Sequence, residues 1–125
     1  MKKLTLIFLI LLFALTSNVV WSADFQKGWD AYTSGDYATA LREWKPLAEQ
    51  GDEDAQYNLG VSYAIGEGIK QDNIYAHMWL NISASHGKVE GSEGRDIVAE
   101  EMTSAEISQA QKLARECVAK NYKGC

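Results

Sequence analysis

From Phe25 onward the apolar residues recur at helical rather than strand intervals. Ala40, Trp44, Leu47 and Ala48 stand at i, i+4, i+7 and i+8, and Ala76, Trp79, Ile82 and Ser83 form a second such set. Ala110, Leu113, Ala114 and Cys117 form a third, at i, i+3, i+4 and i+7. Each set lays one stripe along a helix of 3.6-residue period. Gly35-Asp36 and Gly51-Asp52 punctuate the stripes, the glycines suiting left-handed C-terminal positions and the aspartates N-caps. The pattern predicts helices over about Phe25–Ser34, Tyr37–Gln50, Glu53–Ile65 and Asp72–His86. Pro46 falls inside the second, where it removes a donor and crowds the carbonyl of Arg42, so a kink or a frayed end after Lys45 is expected. Gly87 to Gly94 reads as a charged, glycine-rich link, and Arg95–Met102 as a short helix. Thr103-Ser104-Ala105-Glu106 is a capping box for the last helix, with Met102 and Ile107 placed as its hydrophobic staple.

The stripes belong to a repeat. Gly28-x-x-Ala31-Tyr32-x-x-Gly35-Asp36-Tyr37-x-x-Ala40 returns as Leu59-Gly60-x-x-Tyr63-x-x-Gly66-x-Gly68, followed by Asp72, Ala76 and Trp79. Ala40 to Ala76 and Gly51 to Gly87 are both steps of 36, whereas Gly28 to Gly60 is 32, so the second copy carries four extra residues between its helices. A period of this size marks a helical hairpin array. Residues 24–51 resemble a tetratricopeptide unit. Residues 52–87 resemble a SEL-one-like repeat, the longer relative with a stretched loop, here Gly66-Glu67-Gly68-Ile69-Lys70-Gln71. The resemblance implies an all-α fold, a short right-handed α-solenoid of antiparallel hairpins. About three repeats are needed to bury such a core, so residues 88–125 must add a linker, a short helix and a capping helix over the open end.

The start of the chain is of another kind. Lys2 and Lys3 precede an apolar run from Leu4 to Leu15, and Ser22 and Ala23 are small. This is the layout of a secretory signal peptide over residues 1–23, with cleavage after Ala23 preferred to cleavage after Ser22; an uncleaved anchor is the competing reading. The run is well short of the roughly 20 residues of a membrane span, and no cysteine follows it to take a lipid. Residues 24–125, the helical repeat domain, then carry ten basic and seventeen acidic residues, net −7, against −5 for the whole chain. An acidic surface excludes nucleic acid as a natural partner and suits a periplasmic or secreted, soluble protein.

Cys117 and Cys125 are the only cysteines. In an oxidising compartment they read as a disulfide, against a buried thiol on the apolar stripe or a redox pair. Cysteine-rich bacterial relatives of the repeat family tie a helix end to the next segment in this way, and the resemblance implies the bridge. Catalytic, metal and cofactor patterns are missing from the sequence. His77 and His86 fall on opposite faces of one helix, where surface or capping roles are expected, and no zinc pattern accompanies them. Asp52-Glu53-Asp54 is explained by the helix dipole, and Gly66-Glu67-Gly68 has no phosphate-binding continuation.

In tetratricopeptide-like arrays the first helix of each hairpin lines the inner surface. Carried onto this chain, the resemblance places Phe25 and Trp29 beside Tyr57 and Val61, with Asn58 and Ser62 adjacent, as a groove for a peptide or partner helix; packing under the chain's own elements is the competing reading. The expectation is a non-enzymatic module binding a protein or peptide in the cell envelope, without a cofactor, whose uncovered edge leaves self-association open. The alternative is a receptor or enzyme for cell-wall fragments or β-lactam-like compounds. Cysteine-rich relatives have been linked to such compounds, although they carry a cysteine pair in each repeat.

Overall fold

A computed structural model describes residues 22–125. The signal peptide expected over residues 1–23 lies outside the described residues except for Ser22 and Ala23. The described residues form six α-helices in order: α1 Phe25–Thr33, α2 Tyr37–Glu49, α3 Glu53–Ile65, α4 Asn73–Ser85, α5 Val89–Ala99 and α6 Ser104–Ala119. The described residues contain no strand, so the all-α expectation holds.

The starts of the helices follow from their caps. Asp24, Asp36, Asp52 and Asp72 each accept a backbone N–H of the first turn of α1 to α4, satisfying donors that a helix leaves unpaired. Thr103 and Glu106 complete the capping box of α6 in both directions. Gly35 and Gly51 take the left-handed conformation, with φ of 85° and 94°. The chain does not fray after Lys45. Helix α2 continues through Pro46 to Glu49, because its last turn is held by buried Ala48, whose carbonyl accepts from Gln56 Nε2 at 3.1 Å.

Consecutive helices pack as α1 on α2, α2 on α3 and α3 on α4, and then both α5 and α6 pack on α4. The larger core joins Ala40, Trp44 and Ala48 of α2, Ala55 and Leu59 of α3, Met78, Trp79 and Ile82 of α4, and Ala114 and Cys117 of α6. A smaller one joins Ala76, Leu80 and Val98. The last helix thus closes the array by lying along α4.

The link expected over Gly87–Gly94 is helical from Val89, and the short helix ends at Ala99 rather than Met102. Gly91 and Gly94 look like helix breakers in sequence but serve close packing. A Cβ on Gly91 would stand 2.9 Å from both the Ala84 nitrogen and the Leu80 carbonyl oxygen. On Gly94 it would meet only the flexible Leu80 side chain, at 3.2 Å. The glycines let α5 lie against the α4 backbone, and that contact outweighs the roughly 1 kcal/mol of helix propensity that each forgoes.

The segment after α6 returns to the domain. Cys117 and Cys125 are disulfide-bonded, with Cα atoms 5.7 Å apart. Asn121 and Gly124 turn the chain at positive φ, joined by Tyr122 at 64°. Such a backbone is disfavoured for an aromatic residue, and here three contacts hold it. The Tyr122 hydroxyl lies 3.0 Å from His86 Nε2, its N–H donates to the Cys117 carbonyl, and Lys123 Nζ donates to the Glu49 carbonyl at 2.8 Å.

Gly91→Ala lowers stability by about 1–3 kcal/mol, the usual cost of overpacking, whereas Gly94→Ala costs less; urea unfolding of both variants checks the order. Reducing the disulfide, or Cys125→Ser, lowers stability by about 2–3 kcal/mol through the closed loop, with early exchange of the Lys120–Tyr122 amides as the local signature.

Candidate functional site

Trp44 of α2 is the pillar of the first hairpin. It is fully buried, and its indole N–H donates to the Phe25 carbonyl at 3.3 Å. Around it stand Phe25, Trp29 and Tyr32, with ring centroids 6.0, 6.4 and 5.6 Å away. Trp29 also stacks on Tyr32 at 5.8 Å. Trp44 fills the space between the helices, so Trp29 is pushed outward and remains 44% exposed. The exposed part of the indole is apolar area that a contact could cover.

Two neighbouring hollows open beside it. One, of about 370 Å³, is lined by Phe25, Gln26 and Trp29 of α1, Asp54, Tyr57 and Asn58 of α3, and Lys88. The other, of about 190 Å³, is lined by Trp29, Tyr32, Trp44, Tyr57, Asn58 and Val61. Trp29, Tyr57 and Asn58 are common to both. Asn58 Nδ2 is buried and has no hydrogen-bond partner, a donor that costs free energy until something accepts from it.

Charges border the larger hollow. Lys88 Nζ is 2.9 Å from Asp54 Oδ1 and 3.7 Å from Glu90 Oε2, and it lies 5.2 Å from the Tyr57 ring centroid. The hydrogen bond to Asp54 raises the Lys88 pKa, against the opposing effect of burial. At the smaller hollow, the carboxylate of Glu67 first, then burial, pushes the Tyr32 pKa from 10.0 up to about 12. The stretched loop of the second repeat therefore reaches back to the first.

Of the six groove residues expected from sequence, Phe25, Trp29, Tyr57, Asn58 and Val61 line these hollows, and Ser62 does not. Ser62 is 2% exposed, and its hydroxyl donates to the Asn58 carbonyl. It continues the buried stripe of Ala55 and Leu59, one step around the helix. Asp54, by contrast, stands at i−3 and i−4 from Tyr57 and Asn58, a spacing that places it on their face. Lys88 had no such signal, because it enters from the turn before α5. His77, expected at the surface, is buried at 3% exposure; burial and then nearby Arg95 lower its pKa. Packing of neighbouring helices on α4 shields most of it from water. His86 is exposed and meets Tyr122. Among the described residues no three His, Cys, Asp or Glu side chains are grouped to hold a metal ion, and no helix is long and apolar enough to cross a membrane.

The raised pKa of Tyr32 beside Glu67 has a consequence for stability at high pH. Because the folded-state pKa is raised, its contribution to stability is complete below pH 10.0 and is lost as pH rises towards about 12. Glu67→Gln lowers the Tyr32 pKa towards its ordinary value, which phenolate absorbance during alkaline titration checks.

No protein-family model matches the chain, and no curated protein matches it. Among solved structures, it is similar to a protective antigen present in uropathogenic Escherichia coli strains and displaying an SLR fold. The TM-score is 0.68 at 26% identity, over 78% of this chain. The match takes in 23% of the antigen's chain, so this chain corresponds to a small part of that protein. With its hairpin order and its repeated glycine, tyrosine and alanine positions, the chain is an all-α helical-repeat protein of the SLR, or SEL-one-like repeat, fold.

Proposed function

We propose that this chain is an exported, non-enzymatic repeat module that binds an extended peptide segment of a protein partner across the two hollows between α1 and α3. The observation that carries the reading is the pairing of half-exposed Trp29 with the unpartnered Asn58 amide at the junction of both hollows. An exposed indole offers rigid apolar area at low entropic cost, and a buried amide beside it offers the hydrogen bond that an extended backbone seeks. The net charge of −7 over residues 24–125 favours a basic segment. Export is supported by the N-terminal pattern of residues 1–23 and by the Cys117–Cys125 bridge, which suits an oxidising compartment. SLR-fold repeats generally serve as surfaces for other proteins, and the similar solved structure displays that fold.

A photo-reactive residue at position 29, with Lys112 on the exposed face of α6 as control, tests the reading in the native envelope. A discrete adduct from position 29 alone is the expected outcome. Trp29→Ala weakens binding of the captured partner roughly thirty-fold, as loss of about 2 kcal/mol at a central aromatic does. Equal labelling from both positions, or saturable binding of a β-lactam or muropeptide in place of a protein, overturns it.

A further inference from the structure

Glu43 of α2 is the one carboxylate in the buried set of the described residues, with 0% exposure. Its Oε2 accepts a hydrogen bond from the Asp24 backbone N–H at 3.0 Å. Its Oε1 has no hydrogen-bond partner; the ammonium of Lys27 lies 3.4 Å from it, on a side chain 51% exposed to water. A carboxylate withdrawn from water is costly unless it is both charge-paired and hydrogen-bonded. The Lys27 ammonium supplies charge at Oε1, whereas the amide at Oε2 brings one donor and no net charge, so a cation in that amide's place would pair the carboxylate more fully.

Asp24 is also the residue that becomes first when the chain is cut after Ala23. Ser22 to Asp24 are non-helical, Ser22 is exposed, and Asp24 is extended at φ −127° and ψ 113°, the backbone shape that clefts for extended peptides bind. Hydrolysis of the Ala23–Asp24 bond by an export peptidase consumes one water. It leaves a carboxylate on Ala23 and turns the Asp24 amide nitrogen into an α-ammonium. The atom already 3.0 Å from Glu43 Oε2 then carries a positive charge and three N–H donors. Its side chain, meanwhile, still accepts from the Lys27 N–H as the cap of α1.

We propose that Glu43 is a buried receptor for the α-ammonium of a chain beginning at Asp24, so that removal of the leader locks α1 onto α2. The inference rests on the export reading above and adds a structural purpose to the position of the cut. The register matters. A chain beginning at Ala23 keeps an amide at Asp24 and displaces its ammonium by one residue, about 3.8 Å along the backbone. The lock would also steady the binding face, because Phe25, next in sequence, and Trp29 both line the larger hollow.

Chains beginning at Asp24 and at Ala23, released from a fusion partner with no added residues, are compared by thermal unfolding, each with and without Glu43→Gln. The Asp24 chain is expected to have a Tm higher by about 4–8 °C, a shift typical of a modest gain in a domain of this size. The advantage vanishes in the Glu43→Gln pair. Equal Tm values, or an advantage that survives Glu43→Gln, overturn the proposal. Should the Glu43→Gln chains fail to fold, acetylating the α-amino group of the Asp24 chain gives the second test: loss of the advantage supports the pairing and its retention overturns it. N-terminal sequencing of the exported protein separates this inference from the reading beneath it. Asp24 in first place supports both. A different mature terminus, or an exported chain left uncut, overturns the processing site and leaves export standing, whereas a chain retained inside the cell overturns both.

Discussion

Leu80 stands where three helices meet. A Cβ on Gly60 of α3 would fall 3.1 Å from its backbone nitrogen, and one on Gly91 of α5 would fall 2.9 Å from its carbonyl oxygen. Helix α4 is thereby approached from two sides to backbone distance, while α6 covers a third. Close approach of this kind has no soft alternative, since interiors are packed to crystalline density and backbone atoms do not yield. The rest of the molecule inherits the geometry. Because α3 and α5 are both referenced to the same residue, Lys88 at the start of α5 arrives over Tyr57 and against Asp54, and one side of the larger hollow is set by a contact on the far side of α3.

Hydrogen bonds between elements follow a related logic. The last carbonyls of α2 have no helical partner, as at any helix end. Ala48 receives a hydrogen bond from Gln56 of α3, and Glu49 receives one from Lys123 of the tail. Ser83 of α4 reaches the Glu53 carbonyl at the start of α3. Side chains from later elements thus bond to carbonyls of earlier ones, which gives a small array cohesion beyond its apolar stripes.

Much of the architecture was legible in the sequence because it is written locally. Aspartate after glycine marked the starts of α2 and α3, the Thr103–Glu106 box marked α6, and the stripes of α2, α4 and α6 named their buried faces. Failures came where a residue's role depends on a distant neighbour. Gly91 and Gly94 read as a link because a glycine spared for contact with another helix looks the same as one that ends a helix. His77 read as a surface residue because nothing local shows that α5 and α6 will close over α4. At the site, five of six expected residues share the hollows because helical spacing carried them there. Ser62 sits a small rotation further round and joins the Ala55–Leu59 stripe instead. Lys88 was invisible, since its place is decided by how α5 docks.

The aromatic arrangement gives the protein an optical property of its own. A chain beginning at Asp24 holds three tryptophans, and two of them, Trp44 and Trp79, are shut away from solvent. Only Trp29 meets water, so the long-wavelength part of the intrinsic emission belongs to one residue on the rim of the hollows. Anything that settles there must displace that water and shift this component to shorter wavelength, while the two interior indoles hold the remainder of the spectrum still. The molecule reports occupancy of its own surface without a label.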